Sequence, residues 1–81
     1  MIEPALTIVI DVLAEQVGIS ASWIERDQPL SAIPDVESIH VLRAITVIEE
    51  KLDVLIPDDF LFENSTVREL ATVVDRLVGA R

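Results

Sequence analysis

Leu6, Val9, Ile10, Leu13 and Val17 recur at i, i+3, i+4, i+7 and i+11. That spacing lays them along one face of a helix from about Pro4 to Val17. Pro4 suits the first turn, where its missing N–H breaks no intrahelical bond. Gly18 follows the last periodic residue and supplies the left-handed backbone on which helices commonly stop. From residue 19 to residue 37 the period is lost. Ser22 with Glu25 has capping-box spacing for one short turn through Trp23 and Ile24. Pro29 and Pro34 prevent regular structure from propagating. A connection this long is unusual in a small domain and is often functional. Its large apolar residues Trp23, Ile24, Leu30 and Ile33 are expected to pin it to the core.

A second helix is predicted from about Ser38 to Leu52. Ile39, Leu42, Ile45 and Ile48 recur every three residues, and Val41, Ile45, Ile48 and Leu52 follow a 4-3-4 spacing. The apolar surface is therefore wider than one stripe, and part of it is free to face a partner or a ligand. The β-branched content is high, but Pro34 and Pro57 bracket the segment and its period is not two. Val54-Leu55-Ile56 has no second strand to pair with and reads as an extended connection ended by Pro57. Asp58-Asp59-Phe60-Leu61-Phe62 then reads as a short helical turn, its two acids placed where the helix dipole favours them. Thr66 with Glu69 forms a second capping box. Val67, Leu70, Ala71, Val74, Leu77 and Val78 make the apolar face of a last helix that Gly79 ends. The expected fold is all-α: a small four-helix bundle of three main helices and one short helix, with a long first loop.

Length makes this a single domain, residues 1–81, with no room for a second. Hydrophobic residues at 51% argue against disorder. The absence of cysteine excludes disulfides, thiolate zinc sites and cysteine nucleophiles, and fits a reducing cytoplasm. No apolar run approaches the ~18 residues of a membrane span, and no basic-then-apolar leader is present. Fifteen acidic residues against six basic ones give a net charge of −9. Such a surface is expected to repel nucleic acid and anionic membranes and to attract basic protein surfaces.

Catalytic chemistry is poorly supplied. His40 is the only histidine and lies two residues from Ser38, on a different side of the helix, which argues against a Ser–His–Asp site. Alone it makes no metal site and reads as a solvated surface histidine. Glu49-Glu50 and Asp58-Asp59 lack the spacing of a calcium loop and read as solvated charge. Two glycines leave no phosphate-cradling loop. Ser38 is different. It opens a helix after a proline-bounded loop, where free N–H groups and a partial positive charge favour an attached phosphate. Serine is also a common N-cap, so helix position alone leaves both readings open.

The string Leu30-Ser31-Ala32-Ile33-Pro34-Asp35-Val36-Glu37-Ser38-Ile39 resembles the attachment motif of acyl and peptidyl carrier proteins. In that family an Asp-Ser-Leu tripeptide opens the second helix, and the serine receives 4′-phosphopantetheine. Val47-Ile48-Glu49-Glu50-Lys51-Leu52-Asp53-Val54-Leu55-Ile56-Pro57-Asp58-Asp59 resembles the end of the family's second helix and the turn after it. Ser65-Thr66-Val67-Arg68-Glu69-Leu70 is similar to the Thr-Val-x-x-Leu approach to the family's final helix. The likeness runs in order along nearly the whole chain.

The resemblance implies that Ser38 carries 4′-phosphopantetheine, delivered covalently from coenzyme A by a separate phosphopantetheinyl transferase. It implies a carrier and not an enzyme, holding acyl or aminoacyl groups as thioesters. Its partners would be an acyl- or aminoacyl-loading enzyme and downstream synthase or transferase enzymes, met in short-lived complexes by a cytoplasmic monomer. Glu37 stands where the family's Asp is usual, and Ile39 where Leu is commoner. Asp35, Glu37 and Ile39 flank the attachment point. With His40, Arg43, Thr46, Glu49 and Glu50 they are expected to form the partner-facing surface. Carriers of fatty acid synthesis commonly show several acids along this helix, whereas here His40 and Arg43 are expected at exposed positions in its first half, a mismatch to basic docking patches that favours a specialised pathway, polyketide, nonribosomal peptide or related. A first helix beginning within a few residues of Met1 leads us to expect a free-standing carrier. Leu42, Ile45, Phe60, Leu61 and Val67 are either ordinary core or the lining of a shelter for a short acyl group. The competing reading is an acidic helical interaction module with a carrier-like fold that is never modified.

Overall fold

The computed structural model describes residues 2–57 and 65–80. Three helices organise them: α1 (Ile2–Val17), α2 (Ser38–Leu52) and α3 (Val67–Gly79). Two 3₁₀ turns, Ala21–Trp23 and Leu30–Ala32, lie between α1 and α2, and the described residues contain no strand. This is the expected all-α bundle. The predicted short helix at 58–62 lies outside the described residues.

The first helix packs against both others. Contact on two sides widens its buried face beyond the predicted stripe. Ala5, Val12 and Ala14 join Leu6, Val9 and Leu13 in the core, while Ile10 and Val17 are only half-buried. Gly18 ends the helix in the left-handed region at φ 88°. Its N–H and that of Ile19 both donate to the Ala14 carbonyl, at 2.8 and 3.1 Å. From α2 the core receives Val41, Ala44, Ile45 and Ile48, and from α3 Val67, Leu70, Ala71 and Val74. Val78, predicted for the apolar face, is 39% exposed, because the last turn of α3 runs past the end of the core. Gly79 belongs to the helix, and Ala80 caps it.

The long loop differs from expectation in two places. The first 3₁₀ turn is capped by Ser20, whose Oγ accepts the Ser22 N–H at 3.3 Å. The Ser22–Glu25 box therefore does not form, and the Glu25 N–H donates instead to the Gln28 side-chain oxygen. Trp23 is 60% exposed while Ile24 is buried. Trp23 ends the 3₁₀ turn and Ile24 leaves it in an extended conformation, φ −102° and ψ 123°, so the two neighbours project to different sides. Ile24, Leu30 and Ile33 do pin the loop to the core.

What holds the loop is the start of α3. The first N–H groups of a helix have no intrahelical acceptor. Here the Val67 and Arg68 N–H groups donate to the carbonyls of Gln28 and Arg26, at 3.0 and 2.8 Å, and the Leu30 N–H donates to the Ser65 carbonyl at 2.8 Å. Thr66 and Glu69 close the predicted capping box beside them. The Thr66 N–H donates to Glu69 Oε1 at 2.9 Å, and the Glu69 N–H to Thr66 Oγ1 at 3.1 Å. Beyond α2, Asp53 adopts a left-handed cap at φ 56°. Residues 54–57 form neither helix nor strand, a connection as predicted, with Ile56 buried and Leu55 in solvent.

Candidate functional site

The site lies where the loop enters α2. Ile33 is buried and anchors a tight turn through Pro34 and Asp35, closed by the Val36 N–H donating to the Ile33 carbonyl at 3.1 Å. Asp35 has φ 61°. Proline second and a positive φ third are the marks of a type II turn. The chain then extends through Glu37, at φ −125° and ψ 161°, and Ser38 is the first helical residue. The N-cap is thus Glu37, which removes the alternative that Ser38 is a capping serine. The side chain of Ser38 is exposed, and its hydroxyl has no hydrogen-bond partner among the described residues.

His40 is not the solvated histidine expected. It is half-buried, and its Nδ1 accepts the Glu37 N–H at 2.9 Å. Glu37 and His40 have the three-residue spacing of a capping box, the same as Thr66 and Glu69. Both arms of the box are in place, but only the one to the imidazole has full hydrogen-bond geometry; the longer Glu37 side chain faces the His40 N–H without completing a cap bond. The spacing was visible in the sequence. Its residue types hide it, since the third position of a capping box is ordinarily Glu or Gln.

The rest of α2 divides cleanly. Val41, Ala44, Ile45 and Ile48 face the core, while Ile39, Leu42, Arg43, Thr46 and Glu50 are exposed. Ile39 and Leu42, at 46% and 47% exposure, put apolar surface beside Ser38. Glu49 is half-buried, and its Oε2 accepts the Ile56 N–H at 2.7 Å, so this carboxylate also holds the chain after α2. Of the shelter candidates, Ile45 and Val67 are core residues and Leu42 is on the outer face. Phe60 and Leu61 lie outside the described residues. Among the described residues, an open hollow at the end of α2 is lined by Thr46, Glu49, Glu50, Asp53, Val54 and Leu55, and not by Leu42, Ile45 or Val67. Among the described residues no group of three or more His, Cys, Asp or Glu is placed to hold a metal ion, and no helix is long and apolar enough to cross a membrane.

A profile of the family described as "Phosphopantetheine attachment site" matches residues 7–74, from the first turns of α1 deep into α3. The chain belongs to the acyl and peptidyl carrier protein family. Domains of this family are the place of covalent 4′-phosphopantetheine attachment. The carrier domain is also similar to a relative in Emericella nidulans, a conidial yellow pigment biosynthesis polyketide synthase, with 31% identity over 64 residues. Those residues are 79% of this carrier and 3% of that far longer protein.

Proposed function

We propose that Ser38 is the residue that carries 4′-phosphopantetheine, and that the protein is a non-catalytic carrier of acyl or aminoacyl groups in a specialised biosynthetic pathway. The observation that carries this reading is an exposed, unengaged hydroxyl at the first position of α2. Inside a separate phosphopantetheinyl transferase, Ser38 Oγ attacks the pyrophosphate of coenzyme A. One P–O bond forms and another breaks, the hydroxyl proton is lost, the nucleotide half leaves, and a phosphodiester stays on the carrier. The start of α2 suits that anion, since its free N–H groups and partial positive charge lie beside Ser38. When attached, the arm supplies a terminal thiol that holds cargo as a thioester. No cysteine of the chain competes with that thiol.

The outer face of α2 supports the same reading. Ile39 and Leu42 offer apolar contact around the attachment point, and Arg43, Thr46 and Glu50 offer polar contact beyond it. We assign these residues to the transient docking of the transferase, of a loading enzyme and of downstream synthase enzymes, in the cytoplasm. Likeness to a pigment-forming polyketide synthase favours a polyketide cargo. Incubation with coenzyme A and a broad-specificity phosphopantetheinyl transferase, followed by intact mass measurement, tests the attachment. Wild type is expected to gain one arm and Ser38→Ala none. An unmodified wild type, or an unchanged adduct on Ser38→Ala, overturns the proposal.

A further inference from the structure

We infer that His40 is a positioning residue for the modification of Ser38, and that it acts through the backbone of Glu37. The inference rests on the assignment of Ser38 as the attachment residue. It starts from two neighbours of that serine. Glu37 is the N-cap of α2, yet its side chain makes no full cap bond, because a glutamate carboxylate sits one methylene further out than the short side chains that cap well. His40 stands three residues on and folds back, its Nδ1 accepting the Glu37 N–H at 2.9 Å. The firm bond of this box is thus the one that takes the residue-37 N–H, whereas a short acid at 37 would firmly take the residue-40 N–H.

The geometry ties this bond to Ser38. The Glu37 N–H belongs to the peptide unit just before the one joining Glu37 to Ser38. Fixing it holds Glu37 extended, so that the Glu37 carbonyl takes the His40 and Val41 N–H groups at 2.9 and 3.4 Å and the helix begins at Ser38. The serine is thereby locked at the first helical position with its hydroxyl outward, the arrangement that a transferase must meet. Without the imidazole, the first turn of α2 is free to fray and Ser38 is presented by a mixture of backbone states.

The test is a cycle of variants at two positions, read in two ways. Hydrogen exchange at the Glu37 amide reports the bond itself, and the initial rate of arm transfer by a broad-specificity transferase reports its consequence. His40→Ala is expected to speed Glu37 exchange about fivefold, the size of one lost cap, and to slow arm transfer by a similar factor. Exchange of the α1 core amides should not change, which separates a local effect from a loss of fold. His40→Gln, whose side-chain oxygen can accept the same N–H, should restore both readings. In a Glu37→Asp background His40→Ala should slow arm transfer much less, because the shorter carboxylate caps the first turn at the residue-40 N–H, while exchange of the residue-37 amide, which still loses its acceptor, should remain fast. Faster exchange with an unchanged transfer rate in His40→Ala overturns the inference. So does a slowed transfer that neither Gln at 40 nor Asp at 37 restores, which would make His40 a contact of the transferase itself. Absence of any adduct on wild type sinks the attachment reading, an outcome distinct from adducts forming at equal rates in every variant.

Discussion

At the scale of single residues, the approach to Ser38 is governed by backbone geometry that few side chains tolerate. Asp35 holds φ 61° at the third position of a turn that leads into α2. An L-residue in this region meets its own carbonyl, a penalty that Asp reduces through local hydrogen bonding and glycine escapes. Asp35→Ala is therefore expected to lower stability by about 1 kcal/mol, whereas Asp35→Gly should stay within about 0.5 kcal/mol of wild type. Urea unfolding of the two variants checks this, and equal stabilities for Ala and Gly would remove left-handed strain as the reason. The residue types at the site were legible: Ser38, its flanking acid and the apolar Ile39 all stood out in the sequence. The rank of Ser38 within the helix was not, because it depends on the extended backbone of Glu37. Nor was the half-burial of His40, since a lone histidine on a helix gives no periodic signal and only its distance from Glu37 betrays the bond.

At the scale of elements, local punctuation set what could be read. The bounds of α2 agree with the prediction because Pro34 comes shortly before it and the period ends at Leu52. The capping box of α3 was legible for the same reason, all its atoms lying within four residues. The long loop was not, because its hydrogen bonds come from Ser65, Val67 and Arg68, more than thirty residues away in sequence. The stretch after α2 falls between these cases. That it is a connection and not a strand was predicted, but the bond that fixes it, from the Ile56 N–H to Glu49 Oε2 at 2.7 Å, was hidden behind the reading of Glu49 as a solvated acid. Removal of that acceptor leaves a donor on a buried residue unpaired. Glu49→Ala is expected to cost about 1.5 kcal/mol and Glu49→Gln much less, because an amide oxygen still accepts. Thermal unfolding of both variants measures the difference. If Gln is as damaging as Ala, the role of Glu49 is its charge and not this bond.

At the scale of the whole molecule, one chain of contacts joins the parts that local sequence leaves separate. Arg68 at the start of α3 donates to Asp27 in the loop, with Nε and Oδ1 2.6 Å apart. The next loop residue, Arg26, reaches Glu3 in the first turn of α1, also at 2.6 Å. These are exposed pairs in a chain of net charge −9, where each basic residue also offsets acid–acid repulsion. The guanidinium of Arg68 holds the Asp27 carboxyl below its usual range, first of all by the hydrogen bond; desolvation opposes this, and the charges of Arg68 and then Arg26 add to the lowering. The sign of the linkage follows. A carboxyl depressed in the folded state contributes stability above its unfolded value, and that contribution is lost as pH falls through the folded value. Wild type should therefore be more stable than Asp27→Asn near neutrality. The gap should begin to close as pH drops below about 4 and vanish further into acid. It should also shrink in high salt, because both side chains are solvated. Urea midpoints of the two proteins across this range, at low and high salt, provide the measurement. A gap that persists unchanged in strong acid would show that Asp27 ties the loop to α3 by something other than its charge on Arg68.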